Sequence, residues 1–275
     1  MNQKITLAQD IHAIERALQI NPQLTLSEIT LFVRTIFENS RAKGIVVGLS
    51  GGIDSAVTAS VCVKAIGSER VIGLLLFERR AIGSVDSRDA RELAKMLKIE
   101  TLDFPIDEVF DSCLTSFPAK TKDRVTLGNL KARIRMASLY FLANAKNLLV
   151  AGTGDKSEDL IGYFTKYGDG GVDFLPIAHL YKTQVKNLGT HLGIPSQILN
   201  KPSSPNLWEG HKATDEIPLD YSVLDLALVS LFDLKMDPRR AAVVLGVDEE
   251  KLEDILRLYK SSAHKRTYPP MVRSW

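Results

Sequence analysis

Apolar residues cluster along this chain in two distinct patterns. Gly44 to Leu49 (GIVVGL), Val71 to Phe77 (VIGLLLF), Leu148 to Gly152 (LLVAG) and, more weakly, Glu100 to Phe104 are short runs of the kind that parallel strands buried on both faces display. Between them, apolar residues recur at helical spacing over Leu26 to Asn39, Ser55 to Ile66, Val85 to Leu97 and Asn129 to Ala145. Strands alternating with helices predict βαβ units and an open parallel sheet. After Gly193 the strand signal fades. Tyr221 to Lys235, Pro238 to Leu245 and Glu249 to Ser262 read as helices, and Asp237-Pro238 is a good helix start. The apolar stripe from Val223 to Leu231 reads as core. The expected class is α/β with a helical C-terminal part, as one domain over residues 1–275, because no repeat, low-complexity tract or clean linker divides the chain.

Composition narrows the function classes. The 275 residues suffice for a large core, and 45% hydrophobic with 25% charged residues is an ordinary globular mix. A net charge of +2 is too mild to argue for a nucleic-acid partner. No apolar run approaches the roughly 18 residues of a membrane span, and Met1 to Thr6 lacks the apolar block of a secretory signal. Cys62 and Cys113 show no C-x-x-C spacing, which excludes a disulfide framework and a Cys-rich zinc site; a reducing cytoplasm is the simplest placement. His179, His191 and His211 have no metal-ligand spacing.

The sharpest chemical signal is Gly48-Leu49-Ser50-Gly51-Gly52-Ile53-Asp54-Ser55, which follows a predicted strand and opens a predicted helix. Glycines let an anion approach backbone N–H groups, and the helix N-terminus adds free donors and partial positive charge. The loop is neither Walker A nor G-x-G-x-x-G. A plainer reading is a tight strand–helix turn capped by Ser50 or Asp54. A second block runs from Gly152 to Asp173 (GTGDKSEDLIGYFTKYGDGGVD). Its Gly152-x-Gly154-x-x-Ser157 imitates a dinucleotide fingerprint. The imitation fails, because glycines at 168–171 stand where a helix and a second strand belong.

The string SGGIDS resembles the signature of the N-type ATP pyrophosphatases, which cleave ATP between its α and β phosphates. The second block resembles, within that group, the NAD synthetases, and the likeness extends from about Lys43 to Arg266. It implies a Rossmann-like open parallel sheet of the adenine nucleotide alpha hydrolase type. It implies ATP-dependent amidation of deamido-NAD to NAD with ammonia, through an adenylated intermediate, with release of AMP and pyrophosphate. Residues 48–55 (Gly48, Leu49, Ser50, Gly51, Gly52, Ile53, Asp54, Ser55) would hold ATP with Thr153, Lys182 and Ser204. Asp54 and Glu158 would hold Mg²⁺. Arg133, Lys166, Asp173 and His264-Lys265-Arg266 would bind deamido-NAD. Asp169 is the hypothesis for the group that holds and deprotonates ammonium. The resemblance also implies a homodimer acting on small molecules. Residues Met1 to Lys43 are too few for the glutaminase domain of the glutamine-dependent members, so the expected donor is ammonia itself, free or received from a separate partner.

Elementary chemistry fits these roles. Two carboxylates distant in sequence can share a hard cation with phosphate oxygens, lysines supply point charges, and Arg133 offers a planar fork on the same helix face as Asn129. Each residue taken singly has a plain alternative. Glu158 is a first-turn acid, Arg133 a surface partner for an acid, Lys182 a solvated lysine and His264-Lys265-Arg266 a basic tail. Leu76 to Gly83 and the segment 203–216 depart from the family pattern. They leave room for a paralogue amidating or thiolating another substrate, or for a non-catalytic nucleotide-binding protein.

Overall fold

The computed structural model describes residues 2–204, 207, 208, 211 and 216–272, with the side chains of 2–6 outside that description. The departing segment 203–216 is therefore only partly described: residues 205–206, 209–210 and 212–215 lie outside. Four parallel strands, β1 (Gly44–Gly48), β2 (Val71–Leu75), β3 (Glu100–Asp103) and β4 (Leu148–Ala151), lie in the order β3-β2-β1-β4. Val46 at the centre of β1 pairs with Ile72 and Val150. The two inner strands, β1 and β2, are almost wholly buried, whereas edge strand β3 keeps an exposed, polar pattern. That is why its run was the weakest strand signal.

Helices cover both faces. They are α1 (Asn2–Leu18), α2 (Pro22–Asn39), α3 (Ile53–Ile66), α4 (Val85–Leu97), α5 (Asp107–Ser116), α6 (Arg124–Lys146), α7 (Lys156–Ile161), α8 (Lys182–His191), α9 (Ser196–Leu199), α10 (Tyr221–Leu228), α11 (Pro238–Leu245) and α12 (Glu249–Ser261). One core joins Ile45 and Val47 of β1 to Val33, Val57, Leu93 and Leu188 from α2, α3, α4 and α8. On the opposite face Val46, Leu74 and Val150 meet Ile134 and Ala143 of α6. A third core gathers Ile14 of α1 with Leu224, Leu228, Ala241, Leu252 and Ile255 of the C-terminal helices, and the Val223–Leu231 stripe supplies much of it. Among the described residues no helix is long and apolar enough to cross a membrane.

Local chemistry sets the boundaries. α6 begins five residues ahead of the expected Asn129 because Asp123 caps it, accepting from Thr126 N at 2.7 Å. α11 starts as expected, with Asp237 as cap and Pro238 in its first turn. The helix expected over Tyr221 to Lys235 stays α-helical only to Leu228. Val229–Asp233 then widens to i→i+5 bonding, with Leu234 N donating to Val229 O at 2.9 Å. Helices α1, α5, α7, α8 and α9 carried no clear sequence signal. Beyond β4 the chain makes the short α7, turns back, and bridges Phe174 to Ala151. That parallel return contains a helix, which the sequence reading did not expect, but it ends in an isolated bridge rather than the full second strand of a dinucleotide fingerprint.

Candidate active site

The glycine loop leaves the carboxyl end of β1, where the neighbouring strand switches from β2 to β4, the place an open α/β sheet offers to ligands. Gly51 has φ of +79°, and a Cβ there would overlap the Asp86 carbonyl. Ser50 Oγ lies 3.1 Å from Ser55 Oγ and accepts from Gly52 N at 3.2 Å, so the serines brace the turn. Neither Ser50 nor Asp54 caps α3: its N-cap is Gly52, with no side-chain hydrogen bond. The first turn of α3 therefore keeps its donors open toward a cleft of about 680 Å³. Lys201, itself lining the cleft, fastens the loop by donating to Gly51 O at 2.9 Å and Asp86 Oδ1 at 2.7 Å and pairing with Asp89.

The charge centre lies at the mouth of this loop. Lys182 Nζ is 2.9 Å from Asp54 Oδ2, 2.7 Å from Asp155 Oδ2 and 2.9 Å from Glu158 Oε1, with the Tyr221 ring 5.0 Å away. Lys182 is fully buried, so the solvated alternative is excluded. One ammonium faces three carboxylates, and two of these, Glu158 and Asp155, are shifted by burial and by their charged neighbours. Burial pushes Glu158 well above the usual carboxylate range, Asp155 and Asp54 add to that, and Lys182 opposes it. Burial likewise pushes Asp155 up to about 6. For Lys182 burial works downward, yet Asp155, Asp54 and Glu158 outweigh it and hold the ammonium well above its ordinary value.

Tertiary packing supports this centre through residues to which the sequence assigns no role in the site. Asp155 caps α7, accepting from Glu158 N at 2.8 Å, so it orients Glu158 as well as pairing with Lys182. Asp225 of α10, wholly buried, accepts from Ser157 Oγ at 2.6 Å and Thr183 N at 2.7 Å, while Ser157 Oγ accepts from Lys182 N at 3.0 Å. Two signals were present in the sequence: Asp155 three residues before Glu158 forms a capping pattern, and Asp225 is a lone acid inside an apolar stripe.

The cleft brings together most of the expected nucleotide residues: Gly48 to Ser50, Gly52 to Ser55, Thr153, Glu158 and Ser204 line it, as do Asp169 and Lys265. Gly51 shapes the loop from behind, and Lys182 lies beneath the floor. Asp169 faces the cleft and accepts from Thr165 N at 2.8 Å; burial pushes its carboxyl up, against that hydrogen bond. Lys265 donates to Gly162 O and Phe164 O, both at 2.7 Å, and so pins the turn after α7.

The remaining candidates sit apart. Arg133, exposed on α6, donates to Lys166 O at 3.3 Å, and Lys166 Nζ donates to His264 O at 2.6 Å; these three do not line the cleft. Arg266 is not a solvated tail residue, since it donates to Asp159 O and Ser262 Oγ, each at 2.8 Å. Asp173 is exposed and does not line the cleft; it accepts from Val150 N at 2.7 Å and the Tyr140 hydroxyl at 3.0 Å. An edge strand leaves N–H groups unpaired, and this carboxylate satisfies one of them.

The residues present fit a hard divalent cation. Asp54 Oδ1 is buried with no hydrogen-bond partner, and the cluster carries surplus negative charge on oxygen donors. Among the described residues no three His, Cys, Asp or Glu side chains form a complete metal cage, so an ion on Asp54 and Glu158 needs further oxygens from a ligand.

Residues 25–269 match the family model described as NAD synthase. The chain is 45% identical over 257 residues to the NH(3)-dependent NAD(+) synthetase of Hyperthermus butylicus, spanning 94% of this chain and 93% of that protein. Its counterpart of the same name in Staphylothermus marinus is 46% identical over 240 residues, 87% of each chain. Among solved structures, the NMN synthetase from Francisella tularensis superposes with a TM-score of 0.80 at 34% identity, over 93% of this chain and 100% of that one. The NH3-dependent NAD synthetase from Campylobacter jejuni, in complex with the nitrate ion, gives a TM-score of 0.78 at 29% identity over the same shares.

Proposed function

The chain belongs to the NAD synthase family, and from that premise we propose that it is an ammonia-dependent NAD(+) synthetase, a ligase that forms a C–N bond at the expense of ATP. The observation that carries the reading is the meeting of Asp54 and Glu158 on one buried ammonium beside an uncapped helix N-terminus. A carboxylate is a poor electrophile at neutral pH, and adenylation removes that obstacle. The nicotinate carboxylate of deamido-NAD attacks the α-phosphorus of ATP in line, and pyrophosphate leaves. Ammonia then attacks the acyl carbon, and AMP leaves.

This chain's own residues bind, orient and move a proton. The open N–H groups at the start of α3 receive phosphate oxygens, and Lys182 offers its charge to the same group. Asp54 and Glu158 would hold Mg²⁺, which when bound neutralises and orients the triphosphate. Asp169 takes the proton that ammonium loses; its raised carboxyl is nearer to a useful base than an ordinary aspartate. Arg133, Lys166 and His264, linked at the surface, are with Asp173 and Lys265 the proposed contacts for deamido-NAD, completed by a second copy in a homodimer. A cytoplasmic setting suits the free cysteines Cys62 and Cys113.

The test is product analysis with ATP, Mg²⁺, ammonium and either deamido-NAD or its mononucleotide counterpart, the control suggested by the likeness to a structure named NMN synthetase. NAD, AMP and pyrophosphate in equal amounts from deamido-NAD are expected. AMP formed only with the mononucleotide would overturn the substrate. Sedimentation velocity checks the dimer.

A further inference from the structure

The third carboxylate on Lys182 has no part in the chemistry above. Asp54 and Glu158 face the cleft, with side chains 22% and 21% exposed, whereas Asp155 is wholly buried and does not line it. Its position is also the most constrained of the three. Asp155 Oδ1 accepts from Glu158 N at 2.8 Å as the cap of α7, and the other oxygen meets the ammonium at 2.7 Å. The backbone of Lys182 is tied to that same helix through Ser157 Oγ at 3.0 Å. Asp155 and Lys182 are thus held against each other by α7, whichever way the cleft-facing carboxylates turn.

Occupation of the cleft changes what surrounds the ammonium. If Asp54 and Glu158 turn to a cation and phosphate oxygens, Lys182, which is fully buried, loses two of its three counter-charges. Asp155 is then the carboxylate left in direct contact with it, beside the Tyr221 ring, with Asp225 acting from farther off. We propose that Asp155 is a positioning residue, the standing counter-ion that lets Lys182 exchange its two cleft-facing carboxylates for nucleotide phosphate. Without it, Lys182 depends on Asp54 and Glu158, which then resist transfer to the cation.

This role rests on the reaction proposed above, and the test keeps the two apart. Asp155→Asn and Asp155→Ser each retain an acceptor for the cap of α7 while removing the charge. ATP binding is followed by calorimetry at stepped Mg²⁺ concentrations with no deamido-NAD present, and kcat is measured separately. The Mg²⁺ needed for half-maximal ATP binding should rise about tenfold or more, and kcat should fall by about 30-fold, while KM for deamido-NAD stays within about twofold. In a Lys182→Gln background, Asp155→Asn should change kcat by less than about threefold, because its partner is gone. Wild-type Mg²⁺ dependence and kcat in both variants overturn the proposal. So does a lowered Tm with those two quantities unchanged, which marks Asp155 as only the cap of α7. An equal loss in the Lys182→Gln background overturns it too. If the wild-type protein forms no AMP from deamido-NAD, the reaction is wrong, and the calorimetric arm still decides Asp155.

Discussion

Removing Lys182 and removing one of its carboxylates should move stability in opposite directions, because the cluster holds one positive and three negative groups. Lys182→Met leaves buried carboxylates uncompensated and should cost about 3–5 kcal/mol, read by denaturant unfolding. Glu158→Gln relieves repulsion. Its Tm should stay level or rise, while AMP release falls by about 100-fold or more; a lowered Tm with normal turnover would contradict both halves. Asp169→Asn should leave ATP–pyrophosphate exchange largely intact and abolish NAD formation, since adenylation precedes the ammonia step. Full ammonia-dependent turnover would pass that role to another group. At alkaline pH the residue to follow is Tyr140. Burial and the Asp173 carboxylate push its phenol up to about 12 from an ordinary value near 10. A folded value above the unfolded one means that this stabilisation is complete below about pH 10 and lost as pH rises toward 12. Tm between those pH values should fall less steeply in Tyr140→Phe than in the wild type.

At the scale of elements, the glycine loop and α3 act as one unit. Gly51 occupies left-handed backbone against the Asp86 carbonyl, and the N-terminus of α3 has no side-chain cap. Gly51→Ala should therefore cost about 1–3 kcal/mol, and ATP affinity should drop at least as markedly, measurable by calorimetry; unchanged ATP binding would show that the loop does not cradle phosphate. Strongly patterned elements were legible in the sequence. β1, β2, β4, α4, α11 and α12 fall within two residues of their expected bounds, because buried strands and amphipathic faces leave periodic signals. α7 and α8 left none. α7 is six residues long and α8 is polar along much of its length, and their positions depend on Asp155, Ser157 and Asp225 rather than on periodicity.

For the whole molecule, ligand binding should be coupled to stability through the surplus charge. ATP with Mg²⁺ at 100 times its dissociation constant should add about 2.7 kcal/mol by mass action. ATP with a chelator should add much less, because the carboxylates would then repel the triphosphate. An equal thermal shift in both conditions would argue against a cation on Asp54 and Glu158. The centre draws on three distant stretches of chain: the loop after β1, the block after β4 and the α8–α10 region.

Sequence by itself determined the α/β class, because buried strands and amphipathic helices leave periodic signals, and the glycine loop, because close approach of backbone to an anion restricts residue types locally; the pairing of SGGIDS with the block at 152–173 came from the family resemblance. Only the tertiary structure decided that Lys182 is buried between three carboxylates, that Asp155 and Asp225 hold it, and that Asp173 serves the edge of the sheet. Those outcomes depend on which groups lose water together when helices from separate parts of the chain pack, and no spacing along the chain records that.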